Sequence, residues 1–369
     1  MIDSPTAALK KLGVSIWLDD LSKDRITTGS LATLMKSHHV VGVTSNPTIF
    51  ASSVAGSTSY AVDIAKMKEA GLSPEEAVFR IMVADVQGAC DLLRAEYEQS
   101  GGSDGRVSLE VSPELAHDTQ GTISQAVALW GMVDRENLMI KIPATKAGLP
   151  AITEVIALGI SVNVTLIFSL ERYSEVLDSY FAGIDKAAKA GHEISKIHSV
   201  ASFFVSRVDS AIDPLLNEIG TDKALAMRSL AAIANARLAY QLFTRRHASI
   251  KAKKLATQGM NLQRPLWAST GVKDPNLPET YYVMELAGAN TVNTMPENTL
   301  RATESYGGVK GDRVQAFFDA SRETMAGLEA LGISMSEVTD ALESAGVKQF
   351  VTSWIELLVT VSDAMEKTV

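Results

Sequence analysis

Leu138-Met139-Ile140-Lys141-Ile142-Pro143-Ala144-Thr145 holds seven residues that suit a buried strand and the turn ending it, and one, Lys141, that does not. An unpaired ammonium is costly to bury, so such a lysine is either kept for its chemistry or snorkels to water from an edge strand. Burial also favours the neutral, nucleophilic form of an amine. Polar groups recur at the ends of other apolar runs. Asp19 follows Val14-Ser15-Ile16-Trp17-Leu18, and Thr44 and Asn46 follow Val40-Val41-Gly42-Val43. Ser108 and Glu110 interrupt Val107-Ser108-Leu109-Glu110-Val111, Asn163 and Thr165 interrupt Val162-Asn163-Val164-Thr165-Leu166, and Ser202 and Phe204 lie in Ser202-Phe203-Phe204-Val205. A buried lysine near two carboxylates suits a Schiff base with a carbonyl substrate. A neighbouring Glu or Asp then moves protons as the carbinolamine forms and dehydrates, and asparagines and hydroxyls suit a polyol such as a sugar.

Other chemistries fit less well. The six histidines form no His-x-His or His-Glu-x-x-His pattern, so no metal site is expected, and His117 reads as a structural loop residue beside Asp118. A glycosidase would use the two carboxylates but leave Lys141 without a role. No Gly-x-x-x-x-Gly-Lys-Ser/Thr loop is present, and Gly307-Gly308-Val309-Lys310-Gly311 reads as a turn leading into a helix. Arg207 and Lys273 each follow a late strand, where barrel loops often bind phosphate; the alternative for each is a solvated surface charge.

The elements that must position these groups follow from periodicity. Strands are expected at 14–20, 40–44, 106–111, 137–142, 160–168, 197–205, 264–269 and 291–294. Helices are expected at 4–12, 28–36, 57–70, 74–99, 123–133, 149–158, 170–190, 211–219, 222–249, 278–286, 313–331, 336–345 and 348–367. Strands alternating with helices imply a parallel sheet, and eight such units imply an α/β fold of the closed (β/α)8 TIM-barrel type with additional helices. A barrel needs about 250 residues. The 369 residues therefore read as one domain, 1–369, with helical insertions at about 209–258 and a C-terminal helical extension at about 312–369. An open doubly wound sheet would want a glycine fingerprint after its first strand, and Asp19-Asp20-Leu21-Ser22-Lys23-Asp24 is not one.

Side chains of barrel strands alternate between lumen and helix layer. With Lys141 facing the lumen, Met139 joins it, and Leu138, Ile140 and Ile142 face the helices. Asp19 then shares the lumen with Trp17, Thr44 with Asn46, Ser108 with Glu110, Asn163 with Thr165, and Ser202 with Phe204. Val41, Val43 and Leu166 fall on the opposite side. A purely structural lumen would be filled by Val, Ile and Leu, so polar groups of one parity on six strands mark a site at the C-terminal ends.

Bulk composition agrees. A content of 46% hydrophobic and 21% charged residues is that of a globular protein, and a net charge of −9 argues against a nucleic-acid surface. One cysteine, Cys90, permits no intrachain disulfide and suits a reducing cytoplasm. The N-terminal segment has no apolar core of a signal peptide, and the most apolar stretch, 155–170, is broken by Gly159, Asn163 and Thr165, so no membrane span is expected. An assembly of identical chains is compatible with the sequence.

Four motifs together resemble transaldolase, a Schiff-base family of the pentose phosphate pathway, in its larger bacterial branch. They are Thr44-Ser45-Asn46-Pro47, Val107-Ser108-Leu109-Glu110-Val111, Met139-Ile140-Lys141-Ile142-Pro143-Ala144-Thr145 and Gly159-Ile160-Ser161-Val162-Asn163-Val164-Thr165-Leu166-Ile167-Phe168-Ser169. The resemblance covers about 16–296. It implies that Lys141 is the Schiff-base lysine, Glu110 the acid acting through a bound water, and Asp19 the base that takes the C4 hydroxyl proton. It further implies that Thr44, Asn46, Asn163 and Thr165 hold this water and the dihydroxyacetone hydroxyls, and that Ser202, Phe204 and Arg207 form the stretch meeting the sugar phosphate. The implied reaction moves a dihydroxyacetone unit from sedoheptulose 7-phosphate or fructose 6-phosphate to glyceraldehyde 3-phosphate or erythrose 4-phosphate, with no cofactor. Two features depart from the family pattern. Asp20 follows Asp19, and the second phosphate arginine is missing from Trp267-Ala268-Ser269-Thr270-Gly271-Val272-Lys273, leaving Lys273 or Ser269 as its replacement. The rival readings are another Schiff-base aldolase, releasing free dihydroxyacetone or using a deoxyribose phosphate, and a non-catalytic sugar-phosphate-binding barrel.

Overall fold

Strands β1 (Val14–Leu18), β2 (Val40–Val43), β3 (Arg106–Glu110), β4 (Leu138–Pro143), β5 (Val162–Ile167), β6 (Ser199–Phe204), β7 (Gln263–Ala268) and β8 (Thr291–Met295) are parallel neighbours in sequence order, and β8 closes on β1. This is the expected (β/α)8 barrel. The computed structural model describes residues 3–367; Met1, Ile2, Thr368 and Val369, which the expected 1–369 domain and the reading of the N-terminal segment include, lie outside the described residues. Helices cover the outside of the barrel, so the strands are buried on both faces and read as near-continuous apolar runs. Ile16, Leu18, Leu109, Ile140, Ile142, Val164 and Phe203 point outward into the main core. Trp17, Met139, Phe168, Val200, Phe204, Leu266 and Val292 form a separate apolar cluster inside the lumen.

The register sets the site. Glu110 is paired with Lys141 across β3 and β4, and Lys141 with Asn163 across β4 and β5. Three polar side chains thus lie side by side at one level. At the other end of the barrel, Arg264 donates to Ser15 Oγ at 2.7 Å and pairs with Asp104 at 3.0 Å.

Strand alternation departs from the expected parity at two places. Val41 belongs to the lumen cluster, and the pairing of β1 with β2 shifts register between Ile16 and Trp17. Gly42 permits this, because a Cβ there would come within 2.5 Å of the Trp17 indole. Leu166 also turns into the lumen: its φ is 59°, in the left-handed region, where the pairing of β5 with β6 shifts register. A bulge reverses alternation locally, which a strict period of two does not foresee.

Helix boundaries moved where caps and turns outweighed propensity. Thr44-Ser45-Asn46-Pro47, read as a strand end, also starts the helix Pro47–Gly56: Asn46 Oδ1 accepts from Ile49 N at 3.0 Å and Pro47 occupies the first turn. The 28–36 helix is preceded by a short one, Lys23–Thr27, and 57–70 divides into a 3₁₀ turn and Ala61–Glu69. The 74–99 helix breaks at Leu93 into Pro74–Leu92 and Arg94–Gln99. The 222–249 helix becomes Asp222–Leu225, Ala231–His247 and Ile250–Ala256, with Ser229 at φ 60° and its N–H held by Asp213 at 2.9 Å. Conversely, 336–345 and 348–367 fuse into one helix, Met335–Lys367, of 33 residues. Gly346 does not end it; the residue lies against Leu166, where a Cβ would come within 3.0 Å of the leucine side chain. Among the described residues, no helix is long and apolar enough to cross a membrane.

Candidate active site

Lys141 is 5% exposed and points into the lumen from β4. Its Nζ donates to the Ser45 carbonyl at 2.9 Å and lies 3.4 Å from Glu110 Oε2. Ser45 is held in turn, its Oγ donating to the Ser108 carbonyl at 2.9 Å. The turn after β2 therefore supplies a fixed acceptor for the lysine, a contact the sequence reading did not foresee because it runs through the backbone. Glu110 is 3% exposed, and its Oε2 has no hydrogen-bond partner within the protein. Burial holds the Glu110 carboxyl above its ordinary range; Lys141 opposes this and Asp19 adds to it. A buried carboxyl of this kind can alternate between proton donor and acceptor nearer neutral pH.

Asp19 extends β1 into the same space. Its Oδ1 accepts from Thr44 Oγ1 at 2.7 Å, and Thr44 Oγ1 lies 2.6 Å from Thr294 Oγ1. Burial raises its carboxyl, Lys141, Thr44 and Arg207 pull it down, and Asp20 pushes it up. Asp20, the adjacent carboxylate, is occupied elsewhere: it pairs with Arg25, which also holds Glu297 at 2.6 Å. Only the first of the two aspartates lines the cavity that holds Lys141.

A chain of hydrogen bonds lies beneath. Ser202 Oγ donates to Asn163 Oδ1 at 2.7 Å, and Asn163 Nδ2 donates to Ser108 Oγ at 3.0 Å. This fixes the amide orientation. Thr165 Oγ1, fully buried, has no partner within the protein. Two buried oxygens without a hydrogen-bond partner in the protein, on Glu110 and Thr165, mark places where a ligand or water completes the network.

These groups surround a cavity of about 200 Å³. Asp19, Thr44, Asn46, Lys141, Thr165, Ser202, Phe204, Arg207 and Lys273 all line it. Glu110 and Asn163 sit just behind its wall, in contact with Lys141 and Ser202 respectively. Arg207 stacks over the Phe204 ring at 5.1 Å and faces Asp19; its guanidinium is pulled below its ordinary range by burial. Lys273 is exposed, and neither cation forms an ion pair among the described residues. Ser269 lines the same cavity, with its Oγ 3.0 Å from Ser206 Oγ. Gly307-Gly308-Val309-Lys310-Gly311 does not line it, and His117 is an exposed loop residue whose neighbour Asp118 caps the helix Thr119–Val133.

Five lining residues, Ala268, Gly271, Thr294, Pro296 and Phe350, were not among the expected site residues. Thr294 shares parity with Val292 of the lumen, but a strand of five residues carries little periodic signal. Pro296 read only as a strand stop. Phe350 comes from the helix Met335–Lys367, far away in the chain, and no local signal points to the barrel.

A buried lysine amine, two carboxyls with raised affinity for protons, hydroxyl and amide groups, and two cations with no ion pair are the groups that imine chemistry on a phosphorylated polyol would use. Comparison with known proteins adds the following. The family model described as transaldolase/fructose-6-phosphate aldolase matches residues 16–361. A transaldolase of Frankia alni is 51% identical over 367 residues, covering 100% of this chain and 99% of that one. A transaldolase of Thermobifida fusca is 52% identical, covering 98% of each chain, and one of Mycolicibacterium smegmatis is 53% identical, covering 95% of each.

Proposed function

The chain belongs to the transaldolase/fructose-6-phosphate aldolase family, and from that premise we propose that Lys141, Glu110 and Asp19 carry a transaldolase reaction. The activity is that of a transferase acting on phosphorylated sugars in the pentose phosphate pathway. The Lys141 amine attacks the C2 carbonyl of sedoheptulose 7-phosphate or fructose 6-phosphate. Glu110, acting through a water, protonates the departing hydroxyl as carbinolamine becomes iminium. Asp19 removes the C4 hydroxyl proton, the C3–C4 bond breaks, and its electrons pass into the iminium to leave an enamine. The aldose phosphate departs. Glyceraldehyde 3-phosphate or erythrose 4-phosphate enters, its aldehyde carbon receives the enamine carbon, and Asp19 returns the proton. Water then releases the new ketose and regenerates the amine.

The observation that carries this reading is the placement of Lys141. A buried lysine 3.4 Å from a buried glutamate, at a cavity that also meets Asp19, is arranged for imine chemistry. Thr44, Asn46, Asn163 and Thr165 would hold the catalytic water and the hydroxyls of the three-carbon unit. Ser202, Phe204 and Arg207 would shape the phosphate end. Lys273 would add a point charge where a second arginine would give a fork. The barrel, its insertions and the C-terminal helices are taken as one domain, since Met335–Lys367 packs across the strand ends. A cytoplasmic location fits the single, buried cysteine.

The test is borohydride reduction with fructose 6-phosphate, followed by mass spectrometry of the peptide containing residue 141. A reduced three-carbon adduct on Lys141, absent from Lys141→Ala, is expected. Full transfer activity in Lys141→Ala, with no adduct in the unsubstituted protein, would remove the lysine from the mechanism.

A further inference from the structure

The helix Met335–Lys367 brings one apolar ring to a cavity whose reactive groups are all polar. Phe350 is 4% exposed, lines the space shared by Asp19, Lys141 and Arg207, and belongs to the lumen cluster with Leu166, Phe168 and Phe204. Its position is fixed from both sides. Seven residues earlier, Glu343 accepts from Arg172 at 3.2 Å; three residues later, Ser353 accepts from Thr48 Oγ1 at 2.7 Å. Leu342, Gly346, Phe350, Ser353, Trp354, Leu357 and Val361 recur at helical spacing on the face turned to the barrel. Gly346 lets that face approach Leu166 closely. Phe350 donates no hydrogen bond and bears no charge, so its contribution to the site is to occupy volume and exclude water.

Water exclusion matters at one stage. If the Schiff-base reading above holds, the enamine must wait for a second substrate after the first aldose leaves. During that wait its nucleophilic carbon can take a proton, ultimately the one Asp19 removed from the C4 hydroxyl. The resulting iminium then adds water at C2, and the carbinolamine collapses to free dihydroxyacetone and the Lys141 amine. The water gained equals the water lost when the imine formed, so the net reaction is cleavage of the ketose phosphate into dihydroxyacetone and an aldose phosphate. Transfer and release are thus two exits from one intermediate, decided by whether its nucleophilic carbon meets the acceptor aldehyde or a proton delivered by water.

We propose that Phe350 sets the partition of the covalent intermediate, closing the cavity against water so that transfer to the acceptor outruns release of free dihydroxyacetone. It is a specificity residue that acts on the enamine by filling the space beside it.

The experiment compares the unsubstituted protein with Phe350→Ala, Phe350→Leu and Ile355→Ala. Ile355 is 49% exposed on the same helix and serves as the control for helix integrity. For each, dihydroxyacetone release from fructose 6-phosphate alone is divided by transfer to erythrose 4-phosphate, alongside borohydride trapping and thermal unfolding. For Phe350→Ala the ratio is expected to rise roughly tenfold, equivalent to about 1.4 kcal/mol between the competing barriers. Trapping on Lys141 should persist, and Phe350→Leu, which keeps an apolar side chain, should fall between. If the alanine variant does not fold, the leucine variant carries the test through the same ratio. An unchanged ratio with both rates lowered together, or an equal rise in Ile355→Ala, would reduce Phe350 to a packing residue and overturn the proposal. Failure of the underlying mechanism is separable, because it would appear as no borohydride adduct in the unsubstituted protein.

Discussion

Replacing Glu110 by glutamine tests the reading of the site most directly. The amide keeps the side-chain volume at a position only 3% exposed and removes the charge 3.4 Å from Lys141 Nζ. Removing one member of a buried pair costs about 3–5 kcal/mol of stability when the other stays charged. Here the Ser45 carbonyl still holds Nζ at 2.9 Å, which places the expected loss at about 3 kcal/mol or less. The chemical loss is distinct. General acid–base catalysis by a positioned side chain is worth about 10²–10⁴ in rate, and glutamine supplies none. No substrate-holding group is altered, so KM should stay within about threefold while kcat falls. The assay is a rapid-quench time course of borohydride-trapped adduct with fructose 6-phosphate, run from pH 5 to pH 8. Burial raises the Glu110 carboxyl, so the protonated form that donates to the departing hydroxyl persists to a higher pH than for an ordinary glutamate. The unsubstituted protein should show this as a fall in imine formation as pH rises and the carboxyl ionises, and Glu110→Gln should lack it. Imine formation in the variant at a rate near that of the unsubstituted protein, or a change confined to KM, would refute the argument.

Asp19→Asn should form the imine but not break C3–C4, so borohydride should trap the whole six-carbon ketose phosphate and turnover should fall about 10²–10⁴-fold; a three-carbon adduct formed at normal rate would remove Asp19 from the proton transfer. Arg207→Ala removes a half-buried cation, and loss of a charge-assisted bond of about 1.5–3 kcal/mol predicts a KM for fructose 6-phosphate roughly 10–100-fold higher. Lys273→Ala, at an exposed position, should cost about 1 kcal/mol or less, and an unchanged KM would assign it to the surface. Burial pushes Asp209 up to about 7, against donation from Tyr282 Oη at 2.8 Å and Ala232 N at 2.8 Å. Because its folded value exceeds the unfolded one of 3.8, its contribution to stability is full at acid pH and is lost as pH rises through about 7. The unfolding midpoint of the native chain should therefore fall from pH 5.5 to pH 8.5 by more than that of Asp209→Asn; equal slopes would contradict this.

Much of the site was legible because its signal is local. Lys141, Glu110, Asn163 and Ser202 each interrupt an apolar strand, and a fixed period of two places them all on one face. Closure into a barrel then turns that shared face inward. The choice between Asp19 and Asp20 was also legible by parity, and the pairing of Asp20 with Arg25 explains why the second carboxylate is occupied elsewhere. Parity failed at Val41 and Leu166, where register shifts let neighbouring residues take the same side. Helix ends failed where Asn46, Leu93 and Ser229 settle hydrogen bonds that propensity does not weigh.

By itself the amino-acid sequence determined which elements form and which side chains share a face, because strand alternation and helical spacing act over a few residues. It also determined the chemical inventory: one lysine, two carboxyls, two asparagines and the hydroxyls around them. Only the tertiary structure decided what sits within reach of what. The Ser45 carbonyl against Lys141, the hydroxyl of Thr294 against Thr44, and the ring of Phe350 beside the reactive groups come from segments that are far apart in the chain. Their meeting depends on barrel closure and on where a long helix lies across the strand ends, and those are set by packing of whole surfaces rather than by any pattern a short stretch can carry.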